Sequence, residues 1–204
     1  MNLGLAMVIK QFNVEEFISC SVVKRDISLF NEDIEENSEL LRLNIEGRSA
    51  LVIGGAGTIG ASFIKALLKF KPASLYVVDI SENGLTELTR DLRSSKDLEV
   101  PKVYKTYPIS FGSDIFSRLY LDIGFFDIVA NFAAHKHVRS EKDQYAIQGM
   151  IENNVLNNYR LLKLLERNKP KLFFCVSTDK ATNPVNVMGA TKKLMEDVVL
   201  SFSG

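Results

Sequence analysis

The chain has 204 residues, 46% of them hydrophobic and 25% charged, which is ample for one well-buried core. Lys+Arg and Asp+Glu both number 25, so nothing in the charge balance points to nucleic acid or to an anionic membrane surface. The uncharged stretch from Met1 to Ile9 is far short of the about 20 apolar residues that span a bilayer, and it has neither the basic start nor the cleavage site of a signal peptide.

Residues 1–47 read as a helical extension ahead of the main domain, with a boundary near Glu46 and Gly47. They carry an acidic cluster from Asn31 to Glu39 and helix-compatible periodicity in Phe30, Ile34, Leu40, Leu41 and Leu43. One or two helices are expected, packing on the sheet or on a second subunit, with the charges forming a solvated face. From Arg48 onward strands and helices alternate. Strands are expected over 49–54, 74–79, 101–107, 127–133 and 171–177, and helices over 58–70, 81–95, 112–122, 143–168 and 186–203. The fourth of these helices stops at Arg167-Asn168-Lys169-Pro170, with basic residues in its last turn and a proline after it. Five strands that alternate with helices predict an α/β fold over 48–204, a doubly wound, mostly parallel Rossmann sheet, because parallel strands need crossover connections. Cys20 and Cys175 make no disulfide framework, and the second sits in an expected core strand, so the compartment expected is the cytoplasm. The chain stops just after the last helix, which reads as the first half of a larger enzyme or a shortened chain.

The first strand runs into Gly54-Gly-Ala-Gly57-Thr58-Ile59-Gly60 and then a helix. Gly54 permits a tight turn, Gly57 lets the backbone approach a pyrophosphate, and Gly60 lets helix and strand pack closely. The helix N-terminus presents N–H groups and a positive dipole end to the phosphates. The second strand ends in Asp79, 19 residues past Gly60, near where a ribose-binding acid belongs. An acid there accepts hydrogen bonds from a 2′-hydroxyl and repels a 2′-phosphate, so NAD is expected as cofactor in preference to NADP. The bland alternative is a glycine-rich turn with no cofactor.

The fifth strand delivers Thr178, Asp179 and Lys180 to the carboxyl edge of the sheet, where open α/β sheets hold their ligands. A hydroxyl, a carboxylate and an ammonium in succession can bind an alcohol, donate a proton and accept one. Past Pro184, Met188 and Lys192 lie four residues apart and so share one helix face, which is expected to look toward the cofactor. His135 and His137 alternate at a strand end, but with no third ligand nearby no metal site is expected. Lys136 lies at the same strand end and either helps to line the cofactor site or is a solvated loop residue.

The run Ser177-Thr-Asp-Lys-Ala-Thr-Asn-Pro-Val-Asn-Val-Met-Gly-Ala-Thr-Lys192 resembles the signature of nucleotide-sugar 4,6-dehydratases, polysaccharide-biosynthesis enzymes of the extended short-chain dehydrogenase superfamily that act on UDP-N-acetylglucosamine. Asn131-Phe-Ala-Ala-His-Lys-His-Val138, Asn153-Asn-Val-Leu156 and the glycine turn resemble other segments of that family. The similarity covers about Arg48 to Glu196. It implies a catalytic set of Thr178, Asp179, Lys180, Met188 and Lys192. Thr178 would hold the sugar 4-hydroxyl, Asp179 would protonate the leaving 6-hydroxyl, Lys180 would remove the C5 proton, and Lys192 would hold the nicotinamide ribose. Gly54, Gly57, Thr58, Ile59, Gly60, Asp79, Ala133, Ala134 and Lys136 would line the cofactor site, with Asn154 supporting Lys192. A UDP-sugar substrate follows from the same resemblance, and a homo-oligomer is expected.

Two departures from the family pattern stand out. Met188 occupies the place of a tyrosine and has no proton to exchange, so the acceptor of the 4-hydroxyl proton falls to Lys180 or to a residue beyond Gly204. Pro108-Ile109-Ser110 replaces a Gly-Asp-Val whose aspartate meets the adenine, so base contacts must come from backbone or be weaker. The other readings are a UDP-sugar 4-epimerase, which needs no Asp-Lys pair, and a cofactor-binding module without turnover.

Overall fold

The structure is a computed structural model and describes residues 13–24, 30–137 and 141–203. Met1–Ile9, Val138 and Gly204, which the sequence reading touches, lie outside the described residues. Contacts between Cα atoms divide the chain into two compact units, Met1–Leu41 and Arg42–Gly204.

In the first unit, α1 (Val14–Phe17) continues as a π-helical turn, Ile18–Val23, that closes on Lys24 in the left-handed region at φ 55°. Helix α2 (Phe30–Glu36) is followed through Asn37 by α3 (Ser38–Ile45), which carries the chain past the division.

The second unit is a parallel sheet of five strands in the order β3-β2-β1-β4-β5. The strands are β1 (Ser49–Ile53), β2 (Ser74–Asp79), β3 (Val103–Pro108), β4 (Ile128–Asn131) and β5 (Leu172–Cys175). Every neighbouring pair is parallel, and each register brings the carboxyl ends to the same edge: Ile53 pairs with Val78 and Asn131, and Asn131 with Cys175. Central strands buried on both faces are apolar throughout, as Ala50, Leu51, Val52 and Ile53 are.

The crossovers are helical. Helix α4 (Thr58–Leu68) buries Ile64, Leu67 and Leu68, and α5 (Glu82–Ser94) buries Leu85, Leu88 and Leu92, both at the spacing of one helix face. A core on α6 (Asp114–Ile123) and α8 (Asn157–Leu165) joins Phe116, Tyr120, Leu161 and Leu165 to Leu51, Val78 and Val129 of the sheet. Side-chain caps set the helix starts: Ser81, Ser113, Asp143 and Asn186 each accept from a first-turn N–H of α5, α6, α7 (Gln144–Ile151) and α9 (Val187–Ser201).

Three expectations need correction. The helix expected over 143–168 is α7, a π-helical turn Glu152–Leu156 and α8 in series. The extra residue in the turn turns Asn154 and Asn158 inward together, and Asn158 Nδ2 donates to the Asn154 carbonyl at 3.0 Å, taking up a backbone acceptor loosened there. Strand β4 ends at Asn131, not at 133, because the Asn131 side chain accepts from the Ala133 N–H at 3.0 Å and turns the chain out of the sheet. Strand β5 ends at Cys175, not at 177, and Thr178 caps a 3₁₀ turn over Asp179–Ala181.

Candidate active site

The carboxyl edge of the sheet opens into a cleft with two compartments of about 310 and 200 Å³ that share Gly54, Gly57, Phe132, Ala134 and Lys136. Its floor is the turn after β1. Gly54 has φ +74°, and a Cβ there would stand 2.5 Å from the Ala133 nitrogen; a Cβ on Gly60 would stand 2.3 Å from the Gly54 carbonyl oxygen. Both positions therefore exclude any side chain. Gly57 is the N-cap of α4 and supplies no side-chain cap, so the first-turn N–H groups keep their positive end toward the cleft, where Thr58, Ile59 and Gly60 line the first compartment. This is a cradle for an anionic group, and a dinucleotide diphosphate fits it. In the second compartment Asp79 Oδ2 accepts from Ala56 N–H at 3.0 Å and Oδ1 from Ser81 N–H at 2.9 Å. The carboxylate is thus fixed against the glycine turn, and its remaining lone pairs can accept hydroxyl protons.

The opposite wall comes from β5 and α9. Thr178, Lys180, Met188 and Lys192 line the first compartment with Ser177 and Val176. A Cβ on Gly189 would stand 2.5 Å from the Lys180 carbonyl oxygen, so α9 can lie directly on the 3₁₀ turn and hold Lys180 and Lys192 to one cavity. Lys192 is 5% exposed, and its Nζ donates to the Val176 carbonyl oxygen at 2.8 Å and reaches Met195 Sδ at 3.5 Å. Burial holds its ammonium below the usual lysine range, with nearby Cys175 and Glu196 opposing the shift. The Cys175 thiol is in turn pushed up by burial, against the pull of Lys192.

Asp179 does not line the cleft. Its side chain is 86% exposed, accepts from Thr178 Oγ1 at 2.9 Å and lies 3.4 Å from Lys180 Nζ. The Thr178 hydroxyl, and then the Lys180 ammonium, hold its carboxyl below the usual carboxylate value. Asn154 does not line the cleft either, and its side chain makes no bond to Lys192. It is fully buried, with Oδ1 accepting from His135 N–H at 2.9 Å and Nδ2 donating to the His135 carbonyl at 2.9 Å and to Thr191 Oγ1 at 3.1 Å. It therefore clamps the loop after β4 to α9, one residue before Lys192.

Ala133 and Ala134 sit on that loop in the cleft, with Lys136 at the junction of the two compartments. Phe132 anchors the loop against Phe63 and Phe174, with ring centroids 5.1 and 5.8 Å away. Ser177, Glu196 and Glu141 had no role in the sequence reading. Ser177 donates to Glu196 Oε1 at 2.5 Å, and Glu141 Oε1 accepts from the Met188 N–H at 2.7 Å, placing an acid at the N-terminus of α9. Glu141 is 47 residues away from Met188, a separation that no local pattern reveals. Among the described residues no three His, Cys, Asp or Glu side chains group as metal ligands, and no helix is long and apolar enough to cross a membrane.

Sheet order, glycine turn and carboxyl-edge cleft define a doubly wound α/β domain of the Rossmann type. Residues 50–204 match the family described as polysaccharide biosynthesis protein, and the chain belongs to that family. It is 37% identical over 156 residues, 76% of this chain and 43% of the relative, to an uncharacterized membrane protein of Methanocaldococcus jannaschii. It is 28% identical over 150 residues, 72% of the chain and 41% of the relative, to a UDP-N-acetylglucosamine 4,6-dehydratase (inverting) of Campylobacter jejuni. A UDP-glucose 4-epimerase of Rickettsia typhi is also 28% identical, over 76% of the chain and 43% of that enzyme. Among solved structures, Pen from Bacillus thuringiensis superposes with a TM-score of 0.67 at 26% identity over 78% of this chain and 46% of its own. The Bordetella bronchiseptica enzyme WbmF, solved with NAD+, gives 0.61 at 19% over the same shares, a likeness of fold. The chain thus spans less than half the length of these relatives.

Proposed function

We propose that this chain carries the cofactor-binding and acid–base residues of a nucleotide-sugar 4,6-dehydratase acting on UDP-N-acetylglucosamine or a close UDP-hexosamine. The observation that carries the reading is the convergence of the Gly54–Gly60 turn with Thr178, Lys180 and Lys192 on one cleft. NAD bound there would take a hydride from the sugar C4 and return it to C6.

The chain's residues have the following tasks. The N-terminus of α4 neutralises the diphosphate, and Asp79 accepts from ribose hydroxyls, which favours NAD over NADP. Lys192, already tied to the Val176 carbonyl, turns its other protons to the nicotinamide ribose. An unprotonated Lys180 would take the 4-hydroxyl proton and pass it to Asp179; oxidation at C4 makes the C5 proton acidic, and Lys180 would take that one next. Asp179, its exposed side chain turned toward the sugar, would give its proton to the departing 6-hydroxyl, and Lys180 would return a proton to C5, so that water leaves and the chain's proton count is unchanged. Because Thr178 and Lys180 favour the Asp179 carboxylate, the acid form has to be created in the complex, where the sugar displaces water and the Lys180 proton can pass across the 3.4 Å to Asp179. That one transfer prepares both groups at once. Met188 supplies an apolar wall and no proton.

Incubating the full gene product with UDP-N-acetylglucosamine in deuterated water tests this. Loss of water from the sugar with deuterium at C5 is expected. A product of unchanged mass epimerised at C4 would instead favour the epimerase, since the chain is as similar in identity to the Rickettsia 4-epimerase as to the Campylobacter dehydratase. Tight NAD binding with no conversion would favour a module without turnover. Lys180→Ala should abolish dehydration while leaving NAD bound; retained turnover rejects Lys180 as the base.

A further inference from the structure

A charged lysine has three protons to donate, and Lys192 has already committed two, one to the Val176 carbonyl oxygen and one toward Met195 Sδ. The third is free for a ribose hydroxyl. A neutral amine has only two, as many as those partners claim. We propose that Glu196 is a positioning residue for the cofactor: its carboxylate, pinned by the Ser177 hydroxyl, keeps the third proton on Lys192 and so sets the pH above which the cofactor is held less tightly. This rests on the cofactor placement proposed above.

Glu196 stands one turn along α9 from Lys192, and its Oε1 accepts from Ser177 Oγ at 2.5 Å. Ser177 follows Val176 in the chain and lines the first compartment beside Lys192, so this bond fixes the carboxylate to the wall that also holds the ammonium. The other oxygen is loosely engaged: Lys193 Nζ lies 3.8 Å from Glu196 Oε2 but 3.1 Å from Asp197 Oδ1. The Glu196 side chain is 33% exposed, so the carboxylate keeps part of its hydration. Its charge nevertheless acts on a lysine that has lost nearly all of its own water.

Two titratable groups act on the ammonium, Cys175 from β5 and Glu196. Burial pushes the Cys175 thiol up, so in the neutral range it carries no charge and Glu196 supplies the negative one. Among the described residues, the other charged groups packed around α9 are cations or are already paired. Lys136, from the loop after β4, and Lys180, from the 3₁₀ turn, line the same compartment, and Asp179 bonds Lys180 from outside it. The π-helical turn meets α9 through the neutral pair Asn154 and Thr191, and α8 commits Arg160 to Glu152 and Lys163 to Glu166. Glu141 is taken up by the Met188 N–H.

The test is NADH binding to the full gene product, followed by nicotinamide fluorescence from neutral pH to about 10. Affinity should fall as Lys192 loses its proton. Glu196→Gln keeps an oxygen to accept from Ser177 and removes the charge, so it should move the midpoint of that fall down by about half a pH unit or more. Glu196→Asp retains the charge and should recover most of the displacement. In a Lys192→Met background Glu196→Gln should leave the pH profile where it is. A smaller displacement, or one that survives without Lys192, overturns the inference and leaves the cofactor placement standing. So does a flat profile in the unaltered protein, or an affinity that Glu196→Gln lowers equally at every pH, the mark of a merely structural role. NADH that fails to bind the unaltered protein overturns both.

Discussion

Lys192 is a cation held at 5% exposure whose ammonium bonds neutral atoms, the Val176 carbonyl and the Met195 sulfur. Charged burial of this kind destabilises the folded state, since little in the cavity replaces the lost hydration. The pH dependence has a definite sign. The folded-state pKa lies below the unfolded value of 10.5, so between the two the unfolded chain binds the extra proton and folding gains stability as pH rises. Below the folded pKa the penalty is present in full. Comparing urea unfolding of the wild type with Lys192→Met cancels the other titrating groups. The wild type should gain on the variant as pH climbs from neutrality toward 10, at no more than about 1.4 kcal/mol per pH unit. A difference that is flat, or that falls with pH, would mean that the ammonium is adequately solvated in the fold. Lys192 was legible in the sequence through its spacing from Met188, but its burial was not, because that depends on α9 lying against the 3₁₀ turn at Gly189.

At the scale of elements, the strands and crossover helices were readable because each carries its own period: unbroken apolar runs for β1 and β4, and three-to-four spacing for α4 and α5. The breaks were not readable. Nothing in the run 143–168 marks the π-helical turn, since its cause is a buried partner for Asn154 on the loop after β4, distant in sequence. Asn154→Ala should therefore cost more than an ordinary asparagine truncation. It strands the His135 N–H and the His135 carbonyl, while the Thr191 hydroxyl keeps its bond to the Met188 carbonyl, and a loss of about 3 kcal/mol is expected. Urea denaturation measures it, and a loss below about 1 kcal/mol would show that the clamp is dispensable. At the other end of the sheet Asp127 staples the starts of β1 and β4. Its Oδ2 accepts from Ser49 N–H at 3.0 Å and from Ser49 Oγ at 2.9 Å, with Lys171 Nζ 3.1 Å from Oδ1. Burial alone would raise its carboxyl pKa, but the Ser49 hydrogen bonds and Lys171 outweigh that and hold it below 3.8. Asp127→Asn should cost about 2 kcal/mol at neutral pH, and the gap to the wild type should close as pH falls below the unfolded carboxylate value and through the lowered folded one. A gap that persists unchanged in acid would assign the loss to packing instead of charge.

At the scale of the molecule, the parallel sheet brings residues separated by more than a hundred positions, Gly57 and Lys180, to one rim. That convergence was legible as topology: strands that all point the same way put every strand-to-helix turn at one edge. What topology leaves open is which side chains reach the cleft, and Asp179 and Asn154 miss it for opposite reasons, the first turned outward on a short turn and the second drawn fully inward. A ligand that bridges both compartments should stabilise the unit that contains them, by about 2.7 kcal/mol at a concentration one hundred times its dissociation constant. For a unit of this size that corresponds to a rise in melting temperature of roughly 5–10 °C. Calorimetry with NAD+ at such a concentration should show it. NADP+ at the same concentration should raise the temperature by less than half as much, roughly, because its 2′-phosphate meets an Asp79 carboxylate that the Ala56 and Ser81 N–H groups fix in place and that cannot swing aside. Asp79→Ser keeps a hydrogen-bonding group and removes the charge, so it should narrow the difference between the two cofactors. Equal shifts with NAD+ and NADP+ in the unaltered chain would show that the ribose does not lie at the end of β2, and the placement of the cofactor across both compartments would have to be abandoned.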